Sequence, residues 1–357
     1  MLFRAEIKGY KSIRDISLDL GRINLIIGSN GVGKSNFIAA FRLVKDIYNK
    51  NLQQAVIQEG GASRILHFGR KVTGQITLSL HLGYDQDPEA RNRYSVDLGE
   101  TDDKLFIART TTAFYNGQWH EQVRETSKWE SSFQYDRSGQ AYYVSPMIDS
   151  LDVFHFHDTG AKSPLKQTCY ISDNARLRPD GANLPAMLYL LKMKHPSLLA
   201  DIEAMVSTVY PLFSRFVLEP ENLSPDYIKL HWNQVGSDYL FNAGQLSDGT
   251  LRFIALAALL MHPDLSGTVI IDEPELGLHP NAISILSSLI KKAAGKAQVI
   301  ASTQSVDLIN NFTPEDILVA FRKENATEFK RLSSADLGHW MDEYTLGEMW
   351  IKNVFGE

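Results

Sequence analysis

The chain has one cysteine, Cys169, among 357 residues. That excludes an intramolecular disulfide and any cysteine-rich zinc module, and it suits a reducing compartment such as the cytoplasm. Long apolar runs are missing as well. The longest, Phe253 to Met261, is too short to cross a bilayer and reads as a buried helix. Arg4, Glu6 and Lys8 interrupt the N-terminus, so no secretory leader is expected. There is no excess of positive charge: 36 Lys and Arg face 42 Asp and Glu, for a formal net charge of -6. With that balance any DNA contact has to be a local patch. Sustained heptads, repeats, low-complexity tracts and flexible linkers are absent too, which excludes a long coiled coil. The expectation is a cytoplasmic protein with no membrane partner. Its composition, 44% hydrophobic and 22% charged, is ordinary for a globular chain, and its length allows one large domain or two smaller ones.

What is present is a phosphate loop. Gly28-Ser29-Asn30-Gly31-Val32-Gly33-Lys34-Ser35 fits G-x-x-x-x-G-K-[ST], the phosphate-binding loop of nucleotide triphosphatases. Ile23, Leu25, Ile26 and Ile27 read as a buried strand before it. Phe37 to Phe41, with Leu43 and Val44, have helical spacing after it. At such a junction, unpaired backbone N–H groups and the positive end of the helix dipole face the ligand. The glycines let the backbone curl around phosphates. The candidate nucleotide-binding residues are Gly28, Ser29, Asn30, Gly31, Val32, Gly33, Lys34, Ser35 and Asn36. Lys34 can reach the β- and γ-phosphates, and the Ser35 hydroxyl can hold Mg²⁺. The expected cofactors are ATP and Mg²⁺.

Two further motifs agree. Val269-Ile270-Ile271-Asp272-Glu273 is an apolar strand ending in two carboxylates. In a phosphate-loop fold the Asp of that strand holds Mg²⁺ and the adjacent Glu polarises the attacking water as general base. Asp272 and Ser35 are therefore the candidate metal ligands, and Glu273 and Lys34 are candidate catalytic residues. About 25 residues upstream lies Leu246-Ser247-Asp248-Gly249-Thr250, followed by a helix from Leu251 to Met261. It resembles the LSGGQ signature of ATP-binding-cassette ATPases. Ser247 and Gly249 form a second anion site at a helix N-terminus. The resemblance implies that this site caps the γ-phosphate held by the opposite subunit. Taken alone, Ser247 reads as a plain helix cap.

Elsewhere the pattern is mixed α/β. Strands are expected at the start, with Leu2, Ala5 and Ile7 and then Ile16, Leu18 and Leu20. A Gly-rich turn is expected at Gly60-Gly61-Ala62-Ser63-Arg64. Ile76, Leu78, Leu80 and Leu82 alternate as in a half-buried antiparallel strand, with more strands up to Tyr143. Leu184 to Val209 reads as helix broken at Pro196. Strand pieces at Phe216 to Leu218 and Tyr227 to Trp232 lead back to the signature. After Asp272 come a helix (Ala282 to Ala293), strands at Ala297 to Ala301 and Ile317 to Phe321, and a helical tail ending near Ile351. The expected organisation is a single ATPase domain over 1–357. Within it lie the N-terminal strands and loop helix (1–50), a mostly β lobe (51–160), a helical, basic insertion (161–235), and the signature and C-terminal lobe (236–357).

Ser247 lies about 210 residues beyond Lys34, a wider gap than a transporter cassette has, and no coiled coil fills it. The chain resembles the compact RecF-like and SMC-like ATPases, in particular the AAA_21 group of predicted ATPases, which belongs to the ATP-binding-cassette superfamily despite its label. Gly9-Tyr10-Lys11-Ser12-Ile13, Phe154 to Thr159, Asp180 to Leu184, Glu273 to Pro280 and Trp340 to Trp350 resemble motifs of that group, and Glu273 to Pro280 also resembles a segment of the ATPase core of overcoming-lysogenization (OLD) proteins. The resemblance implies an α/β phosphate-loop head with an antiparallel β subdomain, a helical insertion and no long coiled coil. It implies a homodimer, or a higher oligomer, that shares ATP sites and hydrolyses ATP; Gln304, where many relatives carry His, makes slow hydrolysis the expectation. It also implies a separately encoded effector such as a TOPRIM- or HNH-type nuclease or a toxin, in DNA repair or antiphage defence. About 85 residues follow Asp272, and no appended nuclease is expected in them. The alternative is a DNA-clamping, RecF-like repair factor without an effector.

Several residues stay open at this level. Gln304 stands where many relatives carry His. It is either a γ-phosphate sensor that cannot take up a proton or a cap for the helix at Val306. His155 and His157 alternate on one expected strand and are either half of a zinc site or structural. Tyr10 either stacks on adenine or packs in the core. Arg64 reaches a phosphate or solvent. Lys162, Lys166, Arg176, Arg178, Lys192 and Lys194 make the middle region basic, either as a solvated face or as a DNA surface.

Overall fold

The computed structural model describes residues 1–84 and 87–355. Two six-stranded sheets carry the fold. The first is antiparallel throughout. Its strands run in the order Ile13–Asp19, Leu2–Tyr10, Gln75–Tyr84, Asp87–Thr101, Lys104–Tyr115 and Trp119–Lys128. Ile76, Leu78, Leu80 and Leu82 all point inward, because a period of two places every second side chain on one face.

The second sheet runs Ala326–Arg331, Ile317–Lys323, Ile23–Ile27, Gln298–Ser302, Thr268–Asp272, Leu151–Phe154. All its pairs are parallel except the one to Ala326–Arg331. Parallel strands are covered on both faces, so they are mostly apolar, with Asn24, Asp152 and Gln298 among the exceptions. Alternate residues serve two cores. Ile26, Ile270 and Ile300 join Phe37, Phe41 and Val44 of helix Lys34–Tyr48, together with the antiparallel sheet. Leu25, Val269, Ile271, Val299 and Ala301 join helices Leu184–Lys194, Pro196–Val209, Asp248–Leu260 and Pro280–Ala294 on the other face.

Gln298 ties the sheets together. It is 1% exposed, and each atom of its amide has partners: Oε1 accepts from Leu2 N and Thr268 Oγ1, and Nε2 donates to the carbonyls of Leu2 and Gly21. A buried amide so satisfied costs little, whereas one left unpaired costs about 1–3 kcal/mol.

The expected elements are present, with four corrections. Ala62–Ile65 is one helical turn, not part of a loose Gly-rich turn, and Gly60 caps the helix before it. Tyr142 and Tyr143 lie in helix Ala141–Asp149 rather than in a strand. Tyr227 to Trp232 is split into two strands, Ser224–Ile228 and His231–Gln234, that join different three-stranded sheets. The edge strand Ala326–Arg331 has a mixed polar sequence and gave no clear period.

Asp46 lies half-buried in the last turns of helix Lys34–Tyr48. Burial pushes its carboxyl up to about 6, with Arg42 opposing. A raised acid contributes stability below its unfolded pKa, and that contribution is lost as pH rises through about 4 to 6. A two-unit shift is worth about 3 kcal/mol, and solvent screening cuts this to about 1 kcal/mol. Asp46→Asn should raise the melting temperature at pH 7.5 by several degrees, and the gain should vanish near pH 4. Thermal melts at both pH values check this.

Candidate functional site

The C-terminal ends of three adjacent parallel strands meet at one edge. Asp272 pairs in register with Ser302, and Ser302 with Ile26. Ligands of open α/β sheets bind outside such strand ends. Ile23–Ile27 runs directly into the phosphate loop. Gly28, Gly31 and Gly33 take φ of 146°, 80° and 114°, and a Cβ on Gly33 would strike Thr327 Oγ1 and Ser12 Oγ. Only glycine fits there. Lys34 is 5% exposed, and its Nζ donates to Gly28 O at 2.5 Å and Ser29 O at 3.0 Å, so the ammonium is held inside the loop. Ser29, Asn30, Gly31 and Ser35 are exposed at the helix N-terminus.

Asn36 does not face the loop. Its Nδ2 donates to Ser12 Oγ at 2.7 Å. Thr327 Oγ1 donates to Val32 O at 2.7 Å and lies 2.7 Å from Ser12 Oγ. The Gly9-to-Ile13 turn, the edge strand and the loop helix thus brace the phosphate loop from behind. Thr327 was missed in the sequence because it belongs to the strand without a period.

Asp272, Glu273, Ser302 and Gln304 form one hydrogen-bonded cluster. Ser302 Oγ donates to Asp272 Oδ1. Glu273 leaves its strand at φ 43°, with its amide donating to Ser302 O at 3.2 Å and Oγ at 3.1 Å. Gln304 Nε2 donates to Glu273 Oε1 at 2.5 Å. The cap of the following helix is Ser305, whose Oγ accepts from Leu308 N at 3.2 Å, so the capping reading of Gln304 is overturned. Beneath the cluster, Glu275 is 9% exposed. Its Oε1 accepts from Thr303 Oγ1 at 2.5 Å and Gln304 N at 3.0 Å, and burial raises its carboxyl.

Ser247 is exposed and caps its own helix, accepting from Thr250 N at 3.1 Å. Gly249 packs so closely on Gly277 that a Cβ would strike the Gly277 carbonyl. Three residues on, Arg252 donates to three carbonyls: Phe156 at 2.9 Å, His157 at 2.8 Å and Leu276 at 2.7 Å. The signature helix is therefore bonded to the segment after Glu275 in the same chain. Arg252 is visible in the sequence beside the signature, yet its role needs the two loops brought together.

The remaining candidates fall as follows. The strand ends at Phe154, so His155 and His157 lie in a loop, with ring centroids 4.1 Å apart. His157 Nε2 donates to Asp272 O at 2.9 Å, because a carbonyl can only accept. Burial, and then His157, hold His155 below its ordinary range. Among the described residues no group of three or more His, Cys, Asp or Glu is arranged to hold a metal. Tyr10 is 2% exposed and belongs to the core, which removes it from adenine stacking. Arg64 lines an open pocket beside the loop helix with Lys11, Ser12, Asn36, Phe68 and Arg322, and Phe68 is exposed there. In the basic region, Arg176 pairs with Asp149 at 3.2 Å and Arg178 with Asp173 at 2.7 Å. Lys166 lies 3.5 Å from Asp248, and Lys192 donates to Leu218 O at 2.8 Å. Among the described residues, no helix is long and apolar enough to cross a membrane.

Comparison with known proteins agrees with this geometry. The fold is similar to a structure described as the SmcHead bound to the C-winged helix domain of ScpA, at 15% identity and TM-score 0.65, covering 93% of this chain and 98% of that one. It is also similar to the Smc head domain with an extended coiled coil bound to the C-terminal domain of ScpA, from Pyrococcus furiosus. Identity there is 15% and TM-score 0.58, covering 96% and 98%. No curated protein matches in sequence. The family model described as "AAA domain, putative AbiEii toxin, Type IV TA system" matches residues 23–310. With a phosphate loop, strand-end carboxylates and a signature-like helix on a fold similar to SMC head domains, the chain belongs to the AAA_21 family.

Proposed function

We propose that this chain binds ATP with Mg²⁺ and hydrolyses it between two copies of itself. The observation that carries the reading is the Asp272–Ser302–Glu273–Gln304 cluster beside the phosphate loop. The donor set fits: loop amides and Lys34 suit phosphate, and the Ser35 hydroxyl with the Asp272 carboxylate suits a small, oxygen-loving cation. Mg²⁺ supplies charge neutralisation at the β- and γ-phosphates when bound. Glu273 takes the proton of the attacking water. Gln304 holds the Glu273 carboxylate through one hydrogen of its amide and has a second for the γ-phosphate. It carries no proton to transfer near neutral pH, so turnover is slow. Asn36 acts from behind, through Ser12.

Ser247, exposed at the helix start, and the Gly249 amide cap the γ-phosphate of the partner copy. ATP then adds contacts only in the closed dimer, and its differential affinity drives closure. Hydrolysis removes those contacts, and the motion serves a separately encoded effector, a nuclease or toxin of DNA repair or antiphage defence. The SMC heads of similar fold are described with a bound partner protein, and the family description includes a toxin–antitoxin system, which supports an effector over a lone DNA clamp. The internal pairing of Arg176 and Arg178 weighs in the same direction.

The purified chain should hydrolyse ATP only with Mg²⁺. Lys34→Ala should abolish nucleotide binding. Glu273→Gln should bind ATP while turning over at least about 100-fold more slowly, the lower bound of the usual general-base range. Wild-type turnover by Glu273→Gln in a phosphate-release assay would remove it as the base.

Sharing of sites is tested by mixing. Lys34→Ala and Ser247→Arg chains should each be inactive. Their mixture should recover part of the activity, because one mixed dimer gathers both defects in one site and leaves the other whole. A mixture as inactive as its parents, with mixed dimers confirmed by native mass spectrometry, argues against shared sites.

DNA binding by the isolated chain should be weak and should fall steeply between 50 and 200 mM salt (about tenfold or more) as counterions are released. It should weaken further in Arg176→Glu/Arg178→Glu. No cleavage is expected with any divalent metal. Metal-dependent cutting lost in His155→Ala or His157→Ala would restore the zinc reading.

A further inference from the structure

Past Ser302, the strand Gln298–Ser302 keeps one more bond to its sheet, from Thr303 N to Ile26 O at 2.9 Å. Gln304 follows. Its side chain is exposed, yet its amide bonds the Glu273 carboxylate. An exposed glutamine has several rotatable bonds to freeze, so it keeps one aim only if its backbone is fixed. One buried carboxyl does this. Glu275 Oε1 accepts from Gln304 N at 3.0 Å and from Thr303 Oγ1 at 2.5 Å. Thr303 Oγ1 in turn accepts from Ser305 N at 3.0 Å. Three consecutive residues are tied to a single oxygen, directly or through one hydroxyl. The backbone of Glu275 is fixed as well: its carbonyl accepts from Leu278 N at 2.9 Å, closing the turn in which Arg252 bonds Leu276 O.

Packing alone does not call for an acid here. Oε2 is buried and has no hydrogen-bond partner, an arrangement that costs stability and that a native fold keeps for a reason. An apolar side chain of similar size would fill the space without an unpaired oxygen. It would also remove the acceptor for the two donors that set Gln304. Burial pushes the Glu275 carboxyl up, with the bonds from Thr303 and the Gln304 amide opposing and the Glu273 charge adding. An acid held in this way serves as an uncharged acceptor and adds little repulsion beside Glu273.

We propose that Glu275 is a positioning residue for water activation: by fixing Thr303 and the Gln304 backbone through Oε1, it aims the Gln304 amide at Glu273. The assignment rests on the ATPase reading proposed above. A residue that acts through Gln304 changes kcat. It leaves nucleotide affinity, carried by the loop amides and Lys34, nearly unchanged.

The test compares Glu275→Gln, Glu275→Asp and Glu275→Leu in the full chain. Turnover is read by phosphate release, and affinity by calorimetry with Mg²⁺ and a non-hydrolysable ATP analogue. Glu275→Gln keeps the acceptor within reach and removes the acid. Glu275→Asp keeps the acid and withdraws the acceptor by one methylene. Glu275→Leu removes both. Turnover should fall about tenfold or more in Glu275→Asp and Glu275→Leu and return to within about threefold of wild type in Glu275→Gln, with Kd for the analogue within about threefold throughout. Adding Glu275→Leu to Gln304→Ala should slow Gln304→Ala by less than about twofold, because residues that act through one another are not additive. Thermal melts confirm folding, and Glu275→Asp carries both comparisons if Glu275→Leu does not fold. Four results overturn the proposal: Glu275→Gln as slow as Glu275→Asp, wild-type turnover in folded Glu275→Asp or Glu275→Leu, analogue binding that weakens in step with turnover, or losses that multiply in the double variant. Where the wild type turns over and Glu273→Gln does not, any of these removes the Glu275 assignment alone. If the wild type hydrolyses no ATP, or Glu273→Gln matches it, the ATPase reading falls and this assignment falls with it.

Discussion

One guanidinium holds the site's parts in register. Arg252 sits in the second turn of the signature helix and bonds to carbonyls of the His155–His157 loop and of the segment after Glu275. Hydrogen bonds from a charged group contribute about 1.5–3 kcal/mol each, and a rigid planar fork reaches three acceptors at once where a lysine ammonium does not hold the same geometry. Gly249 adds a contact with no slack, since its Cα faces the Gly277 carbonyl. The helix start and the segment from Leu276 to Gly277 therefore shift as one piece. A push on Ser247 is felt a few residues from Glu273 in the same chain. A shared-site dimer needs this property if its two sites are to sense one another.

The cluster at the strand ends is strained on one side and braced on the other. Glu273 stands in the left-handed region, which costs a non-glycine residue about 1 kcal/mol or more. Ser302 and Gln304 hold it there, and the Glu275 carboxylate holds Gln304 in turn, accepting from the Gln304 amide and from Thr303 Oγ1. The strain turns the Glu273 carboxylate away from the sheet. A residue in the ordinary β region at that position would continue the strand and point its side chain into one of the two cores.

Much of the fold is legible in the sequence because parallel strands and packed helices leave simple periods. Ile23 to Ile27 is apolar but for Asn24, Val269 to Ile271 and Val299 to Ala301 are apolar throughout, and Phe37, Phe41 and Val44 return at helical spacing. The phosphate loop and the strand-end carboxylates are legible because their chemistry fixes residue type and order. What the sequence hides is pairing across distance. Asn36 fits the loop by position, yet Ser12 takes its amide. Tyr10 has the right ring for stacking, yet it is buried in the core at the end of a strand of the antiparallel sheet. The basic residues near Arg176 form a run in the chain, while Asp149, which offsets Arg176, lies 27 residues away at the end of helix Ala141–Asp149. His155 and His157 look like metal ligands until the carbonyl of Asp272 is seen to use one of them.

The central position of Ile23–Ile27 has a consequence for how the protein is made. Its two neighbours in the sheet are Gln298–Ser302 and Ile317–Lys323, and the amide of Gln298 closes onto Leu2 and Gly21. Translation adds about 5–20 residues per second. The strand that carries the phosphate loop therefore emerges from the ribosome and waits, on the order of 15–60 s, for the partners that will bury it. During that interval it is an apolar edge with unpaired backbone groups on both sides, the kind of surface that chaperones shield and neighbouring nascent chains mispair with. Synthesis speed and chaperone supply, as much as the finished contacts, thus set how much of this protein reaches its folded state.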